Sequence, residues 1–535
     1  MGNKEITRRR MLEISAGTAA GIAGLGMLGC GKDLTSVDTD LDEDIFTDPE
    51  KDKITAESVI SKRPGRAQRP NVIIVLTDDM GYGDLGCYGS KAIPTPNLDR
   101  MAREGMRFTD FYCSSPLCSP SRAGLLTGRY PLRCGISFPL QAGEDTLTRK
   151  IFRQLGYMFG SLGVLDLHNA QNLVDGLPQS EITMSEALKL AGYKTCAIGK
   201  WHLGDFNVMP EYHPHNYGFD HFVGFNASND DWPIAFYRNK KKLVDDVGLD
   251  QEKYTGLFTD EAVKFIEDAK GDPFFLYLAH KDPHQPCFPS KDFVGKSEGG
   301  PHGDTVTEVD WSVKQIMDSL KRNGLDRDTL VIFTSDNGPW FDGSPGGLRG
   351  RKGESYEGGY RVPMIAWWPG KIPAGRVTGE PAMNFDFFPT VLHLAGLTLP
   401  SDRIIDGKNL WGLLSGREKE TPHEALYFFH YKQLEGVREG KWKYFRYINT
   451  KAWPIPLDKP DTFVGSAAGG HDYKPEGSDK SVPTMASWPM LYNMKLDRGE
   501  SYNVIKRYPK VGDRLHKKLV AFEKKFFENP RGWMD

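Results

Sequence analysis

Two apolar runs end in adjacent oxygen donors. "NVIIVL" (71–76) leads into Asp78 and Asp79, and "TLVIFTSDNG" (329–338) carries Asp336 and Asn337. Two strand ends that each deliver a pair of oxygens suit a hard divalent cation, Ca²⁺ or Mg²⁺. Either pair alone reads as readily as a turn or helix cap, positions that Asp and Asn favour; the repetition on matching strand ends favours the cation. Basic and nucleophilic residues lie between and beyond them. "CSPSRAGLLTGR" (118–129) holds Cys118 and Arg122. "AIGKWHLG" (197–204) holds Lys200 and His202, two apart and so on one side of an extended backbone. His284 sits between Pro283 and Pro286, and Lys352 lies in the glycine-rich "GLRGRKGESYEGGYRVP" (347–363), where the backbone can approach a ligand closely. Each segment by itself has an ordinary reading, since a lone lysine is usually solvated and a lone histidine usually sits on the surface or satisfied in a core.

The elements that must position these residues are legible in outline. Continuous apolar runs with β-branched residues, at 71–76, 273–279 and 329–334, read as strands buried on both faces. In open α/β sheets ligand sites gather at the carboxyl ends of such strands. Asp78 and Asp79 would point to opposite faces of a regular strand, so sharing a ligand requires a turn beyond it. "TPNLDRMAREG" (95–105) reads as a helix with Leu98, Met101 and Ala102 at helical spacing and Gly105 near its end. Further on, "ALYFFHY", "EGVREGKWKYFRY" and "MLYNM" read as antiparallel strands. A last amphipathic helix follows at 508–528, with Val511, Leu515, Leu519 and Phe522 on one face.

The chain of 535 residues is long for one domain and is expected to form two unequal ones, with segments at 1–30, 31–69, 70–420 and 421–535. "TRRRML" (7–12), followed by an Ala/Gly-rich run to Gly29, has the form of a twin-arginine export signal, and "MLGC" ends it in a lipoprotein-type box at Cys30. Residues 33–52 carry nine acidic side chains against Lys51 and read as a solvated tether. The overall charge of −3 therefore leaves the folded part mildly basic, which permits an anionic substrate. No apolar run reaches the roughly 20 residues of a membrane-spanning helix. The remaining six cysteines, Cys87, Cys113, Cys118, Cys134, Cys196 and Cys287, lack a CxxC zinc pattern and could pair in an oxidising compartment, with at least one left free if Cys118 is chemical. Residues 152–176 suggest no assignment.

Taken together, the segments resemble the type I, formylglycine-dependent sulfatases of the alkaline-phosphatase-like superfamily. "CSPSRAGLLTGR" matches C-x-P-S-R-x-x-x-L-T-G-R, and the Asp pair, G-K-W-H-L-G, the P-H-x-P loop, S-D-N-G and K-G…E-G-G-x-R-x-P follow in the family's order from about Asn71 onward. The likeness is greatest to the arylsulfatase A and N-acetylgalactosamine-6-sulfatase branch. The resemblance implies an α/β sandwich, with a large, mostly parallel sheet flanked by helices and a smaller C-terminal α+β domain. It implies that a separate formylglycine-generating enzyme oxidises Cys118 to Cα-formylglycine (3-oxoalanine), whose hydrate attacks sulfur. Asp78, Asp79, Asp336 and Asn337 would hold the cation, calcium first and magnesium as the alternative. Lys200 and Lys352 would neutralise sulfate oxygens, Arg122 would support the diol, His284 would protonate the departing oxygen, and His202 would take a proton from the second hydroxyl. Ser228, Asn229, Asp230 and His430 are candidate substrate contacts, with Trp340, Trp453 and Trp488 as candidate stacking surfaces. The implied activity is sulfate-ester hydrolysis on sulfated carbohydrate by an exported, periplasmic or surface-tethered bacterial protein. Its partners would be the twin-arginine export machinery and, through a lipid on Cys30, the membrane, with no nucleic acid. The rivals are a phosphate mono- or diesterase of the same superfamily and a catalytically inactive carbohydrate-binding relative.

Overall fold

The computed structural model describes residues 51, 54–63, 69–142, 172–231, 233–448 and 489–534. The export motif, Cys30, nearly all of the acidic stretch, most of 152–176, Trp453 and Trp488 lie outside the described residues.

Asn71–Thr77 forms a strand, β1, in which every side chain is buried. Its alternate residues serve two different cores. Val72, Ile74 and Leu76 enter one, and Ile73 and Val75 the other. A strand covered on both faces favours apolar side chains, which is why Val72–Leu76 is uniformly apolar between the hydrogen-bonded Asn71 and Thr77; burying a leucine such as Leu76 contributes about 2 kcal/mol. The ten-stranded sheet around it runs β11 (Arg376–Thr378), β2 (Met106–Phe108), β10 (Met364–Trp367), β9 (Thr329–Ser335), β1, β8 (Phe274–Ala279), β4 (Lys194–Lys200), β5 (His221–Phe225), β6 (Phe236–Arg238) and β7 (Lys241–Val244). The central pairings, β9 with β1, β1 with β8, β8 with β4 and β4 with β5, are all parallel. β10 and β6 run antiparallel to their neighbours, so the sheet is mixed but mostly parallel.

Helices cover both faces. Helices α1 (Pro96–Glu104), α4 (Tyr254–Asp268) and α5 (Gly300–Arg322) contribute Leu98, Phe258 and Val309 to the core on the Ile73 side. Helices α2 (Cys118–Thr127), α3 (Met184–Leu190) and α6 (Phe387–Ala395) contribute Leu125, Leu188 and Val391 to the other. A short parallel pair joins β3 (Phe111–Tyr112) to β12 (Ala382–Met383). The C-terminal sheet is antiparallel, in the order β13 (Leu426–His430), β14 (Gln433–Glu439), β15 (Trp442–Phe445) and β16 (Met490–Asn493). The last helix, α7 (Pro509–Glu528), buries Leu515, Leu519 and Phe526 against it, with Val511 and Phe522 partly covered on the same face. Phe428, Val437 and Leu491 share one core with Leu76.

Register is what prepares the site. Thr77 pairs with Ser335, Leu76 with Ala279, and Ala279 with Gly199, so four central strands finish at one level. Gly199 has φ +104, and a Cβ there would stand 1.9 Å from the carbonyl oxygen of Ala279. Only glycine lets β4 come that close to β8 just before Lys200.

Candidate active site

Asp78 follows β1 directly, and its N–H donates to the Asp282 carbonyl at 3.1 Å. Asp79 then adopts φ +62, an uncommon left-handed conformation for a residue with a side chain. That turn brings the second carboxylate back beside the first, as the sequence required. It is held by the Asp79 N–H donating to Asp336 Oδ1 at 3.2 Å and by Asn337 Nδ2 donating to Asp79 Oδ1 at 2.7 Å. The four oxygen-bearing residues are all buried.

Cys118 opens α2, and the whole helix is buried. Its Sγ lies 3.4 Å from Asp78 Oδ1 and 4.0 Å from Asp79 Oδ1. Arg122, four residues on and therefore on the same helix face, reaches the acidic pairs from below. Its Nε donates to Asp336 Oδ2 at 3.0 Å, its terminal nitrogens approach Asp336 and Asp78 at 2.9 and 3.4 Å, and one donates to the Lys200 carbonyl at 2.8 Å. Lys200 pairs with Asp78 and donates to Ser228 Oγ at 2.9 Å. Lys352 Nζ lies 2.8 Å from both oxygens of Asp79. The loop around it is anchored by Lys352 N–H on Pro339 and Gly353 N–H on Pro116. His284 places Nε2 3.6 Å from Asp79 Oδ2 and donates Nδ1–H to the Gln285 carbonyl at 2.5 Å.

One sequence expectation fails in its detail. Lys200 and His202 do not share a side through strand alternation. β4 ends at Lys200, and His202 has φ +54. The left-handed turn, not a pleat, aims the imidazole into the site. His202 Nε2–H donates to the Leu140 carbonyl at 2.7 Å, which leaves Nδ1 buried and without a hydrogen-bond partner.

The electrostatics follow from crowding. Burial raises Asp336 first, and the neighbouring Asp78 charge adds to it, pushing it up to about 7. Burial opposes the charge of Asp78 as well, but Lys200, His284, Arg122 and Lys352 outweigh it and hold that carboxyl well below its usual range. Burial, reinforced by Lys200 and Arg122, drives His202 well down, and burial with Lys352 lowers His284, so both favour the neutral imidazole. Burial pushes the Cys118 thiol well up.

Asp79, Cys118, His202, His284 and Lys352 line the floor of a cavity of about 550 Å³ together with Ser228, Asp230 and Trp340, while Asp78, Asp336, Arg122 and Lys200 are buried and do not line it. Of the candidate substrate contacts, Ser228 and Asp230 reach it, the latter at the exposed rim. Asn229 and His430 do not line it. Asn229 is buried with its amide directed at the carbonyls of His284 and Gln285, so it braces the loop under His284. His430, at the end of β13, is 3 % exposed and sits by the Gly353 backbone. Sequence reasoning missed Phe138, Leu140 and Gln285, which also line it. They act through shape and backbone carbonyls, and no residue-type pattern announces that. All six cysteines among the described residues are free.

The site fits a hard cation. Asp78, Asp79, Cys118 and His284 bring ligand atoms within 4.8 Å of one another. Asn337 Oδ1 is buried without a hydrogen-bond partner, whereas Asp78 Oδ2 is held by its ion pairs with Lys200 and Arg122. An unsatisfied buried oxygen is costly unless something absent from the protein chain satisfies it.

A model of the sulfatase family matches residues 70–397, which span every residue of this floor. The chain belongs to the sulfatase family. The match to a second model, of the N-sulphoglucosamine sulphohydrolase C-terminal region, covers residues 351–458. This sulfatase is 38% identical to the N-acetylgalactosamine-6-sulfatase of Canis lupus familiaris over 462 residues, covering 82% of each chain. It is 36% identical to the steryl-sulfatase of Homo sapiens over 458 residues, covering 70% of this chain and 74% of the relative. Among solved structures, Ps i-CgsB in complex with k-i-k-neocarrahexaose superposes with a TM-score of 0.66 at 27% identity, covering 85% of this chain and 92% of the other. The sulfatase is thus a hydrolase of sulfate esters on an alkaline-phosphatase-like fold.

Proposed function

We propose that this sulfatase removes sulfate from sulfated carbohydrate, with Cys118 as the residue matured to formylglycine and Asp78, Asp79, Asp336 and Asn337 as the holders of a divalent cation, Ca²⁺ before Mg²⁺. The observation that carries the reading is the meeting of Cys118 with both strand-end pairs and with Arg122, Lys200 and Lys352 at and just beneath the floor of one cavity. The N-acetylgalactosamine-6-sulfatase relative and the oligosaccharide-bound Ps i-CgsB support carbohydrate. The near-equal likeness to a steryl-sulfatase shows that overall identity does not select the alcohol.

When bound, the cation supplies Lewis acidity toward sulfate oxygens, and the hydrated formylglycine supplies the nucleophilic hydroxyl. The rest belongs to the protein. Lys200, steadied by Ser228, and Lys352 offer positive charge to the sulfate oxygens in a buried setting, where such charge acts strongly. Arg122 fixes Asp336 and the Lys200 carbonyl, and so keeps the floor rigid around residue 118. His202 has its Nε2–H committed to Leu140, so Nδ1 is the base that accepts a proton from residue 118. His284 has Nδ1–H committed to Gln285, so it is only the imidazolium form, disfavoured by burial and Lys352, that carries a proton on Nε2 to hand to the departing sugar oxygen. The twin-arginine motif and Cys30 support export and tethering ahead of this activity.

The test is mass spectrometry of the peptide around residue 118 from native-host protein, joined to assay on monosulfated sugars with and without chelator. A mass loss of about 18 Da relative to the cysteine peptide, trapped by hydrazine, is expected. Desulfation should fall on chelation and return with Ca²⁺. An intact, alkylatable Cys118 under all growth conditions, in a protein that releases no sulfate, would sink the reading.

A further inference from the structure

Among the described residues, the charges on the cavity wall above the catalytic floor are all negative. Lys352 is the one lysine or arginine on the lining, it belongs to the floor, and it is already paired with Asp79. The wall carries Asp230, exposed at the rim, and Asp231, half-buried beside it. The neutral side chains of Gln141, Gln285, Phe138 and Trp340 also line it. A sulfate ester brings one anion, and the floor accounts for that one. A second anion on the same sugar meets two carboxylates and uncharged groups.

The two carboxylates are not free to swing aside. They belong to the turn 228–231, just beyond β5, which is closed at both ends. Ser228 N–H donates to Asp231 Oδ2 at 2.9 Å, and Asp231 N–H donates to the Ser228 carbonyl at 3.1 Å. The middle of the turn is pinned as well. Asn229 directs its amide at the carbonyls of His284 and Gln285, at 3.3 and 3.4 Å, and its own carbonyl accepts from Gln251 Nε2 at 2.8 Å. Lys200 Nζ reaches the same turn from beneath the floor, donating to Ser228 Oγ at 2.9 Å. Desolvation opposes a charge on Asp230, but His284 and Lys200 outweigh it and hold the carboxyl down to about 2. Burial, with the Asp230 charge added, pushes Asp231 up to about 6, so both are anions at pH 7.5.

We propose that Asp230 and Asp231 determine specificity, accepting hydrogen bonds from hydroxyls of the sulfated sugar and repelling a second sulfate or a carboxylate on it, so that the enzyme takes monosulfated, otherwise uncharged sugar units. The inference rests on the reading of this cavity as the sulfatase site and names the substrate class within it. An ionised carboxylate accepts a hydroxyl proton in a bond about twice as strong as one between neutral groups. The same carboxylate, held in place against a fixed like charge, discriminates by repulsion. A turn pinned at three residues makes both effects sharp, because the wall cannot relax around the wrong sugar. Masking or removing a hydroxyl that faces it leaves a carboxylate without its donor, which is the second way such a wall rejects an analogue.

The experiment is titration calorimetry at pH 7.5 with Ca²⁺ present, on the full chain carrying Cys118→Ala, which cannot turn its ligand over. N-acetylgalactosamine 6-sulfate is compared with N-acetylgalactosamine 4,6-disulfate, and galactose 6-sulfate with galactose 2,6-disulfate. In each pair the monosulfate should bind about 100-fold more tightly. Asp230→Asn and Asp231→Asn, added singly and checked for folding by circular dichroism, should each cut that ratio about tenfold. Asp230 stands at the exposed rim, so its variant keeps the test open if Asp231→Asn fails to fold. Equal or tighter binding of the disulfates overturns the proposal, as do folded Asp230→Asn and Asp231→Asn proteins that keep the original ratio. A folded chain that binds neither member of either pair overturns it too. Sulfate release by matured enzyme should follow the same order in kcat/KM. Discrimination in binding with no sulfate release by matured protein would indict the catalytic reading and leave the wall's role standing; sulfate release without discrimination would do the reverse.

Discussion

Two clusters of three cations and three carboxylates are buried in the described part of this molecule. At the catalytic floor, Arg122, Lys200 and Lys352 face Asp78, Asp79 and Asp336. Between the large sheet and the C-terminal sheet, Arg361, Arg438 and Lys443 face Glu357, Asp110 and Glu500. Each holds one carboxyl that burial, with help from a neighbouring carboxylate, pushes up to about 7: Asp336 in the first and Glu500 in the second. Charge crowding is therefore not what separates a reactive site from a structural one. The second cluster is sealed, with Lys443 Nζ 4.4 Å from the Phe428 ring centroid and 4.8 Å from that of Phe445. The first lies on turns at the carboxyl edge of the sheet and opens into a cavity of about 550 Å³. Access, and the left-handed turns at Asp79 and His202 that aim side chains into it, make the difference.

The comparison can be broken by substitution. Cys118→Ala removes the group proposed to be matured and should lower desulfation about 10,000-fold or more, while the thermal unfolding midpoint barely moves. Steady-state assay and calorimetry on one preparation would check both halves. Lys443→Met should do the reverse. It strands Glu357 and Glu500 in a sealed interior and should cost about 3–5 kcal/mol in denaturant unfolding, with turnover per folded molecule within about twofold. If Lys443→Met lowered turnover of fully folded protein as Cys118→Ala does, the separation drawn here would fail.

A pH titration sharpens the contrast further. Burial pushes His430 down to about 3, against about 6.5 for an unfolded imidazole. Between these values the unfolded chain takes up a proton that the folded one refuses, so stability is full above pH 6.5 and falls as pH drops. From pH 6.5 to 4 this one residue should remove about 3 kcal/mol. His430→Gln should flatten that part of the stability profile, as read by chemical denaturation across pH, without moving the KM for sugar sulfate. A raised KM would return His430 to the substrate contacts. The smallest effect belongs to Trp340 on the cavity wall. Trp340→Ala should raise KM by a factor of about 3 to 10 for a carbohydrate substrate, with kcat nearly kept.

How much of this was legible in the sequence varies from residue to residue. Asp78, Asp79, Asp336 and Asn337 announced themselves because each pair follows an apolar run long enough to be a buried strand. Cys118 and Arg122 were legible as a motif, and their common helix face follows from the spacing of four. Asn229 and His430 do not line the cavity: a polar residue near a motif says nothing about which way its backbone turns it. Asn229 was drawn under the His284 loop by two carbonyls, and His430 was carried inward at the end of β13. Lys200 and His202 come near one another through a left-handed turn and not through strand alternation, which does not run past the end of β4.

The sequence alone determined the chemical inventory, the order of its motifs and the apolar strands of the central sheet. These are local properties, set by side-chain type and by spacing along a few residues. The tertiary structure alone decided which distant groups meet. It placed Lys352 against Asp79, His302 against Asp84, and Lys443 in a sealed interior rather than in the cavity. Those meetings depend on strand register and on the packing of two cores around one sheet, which fix side chains far apart along the chain to within tenths of an ångström.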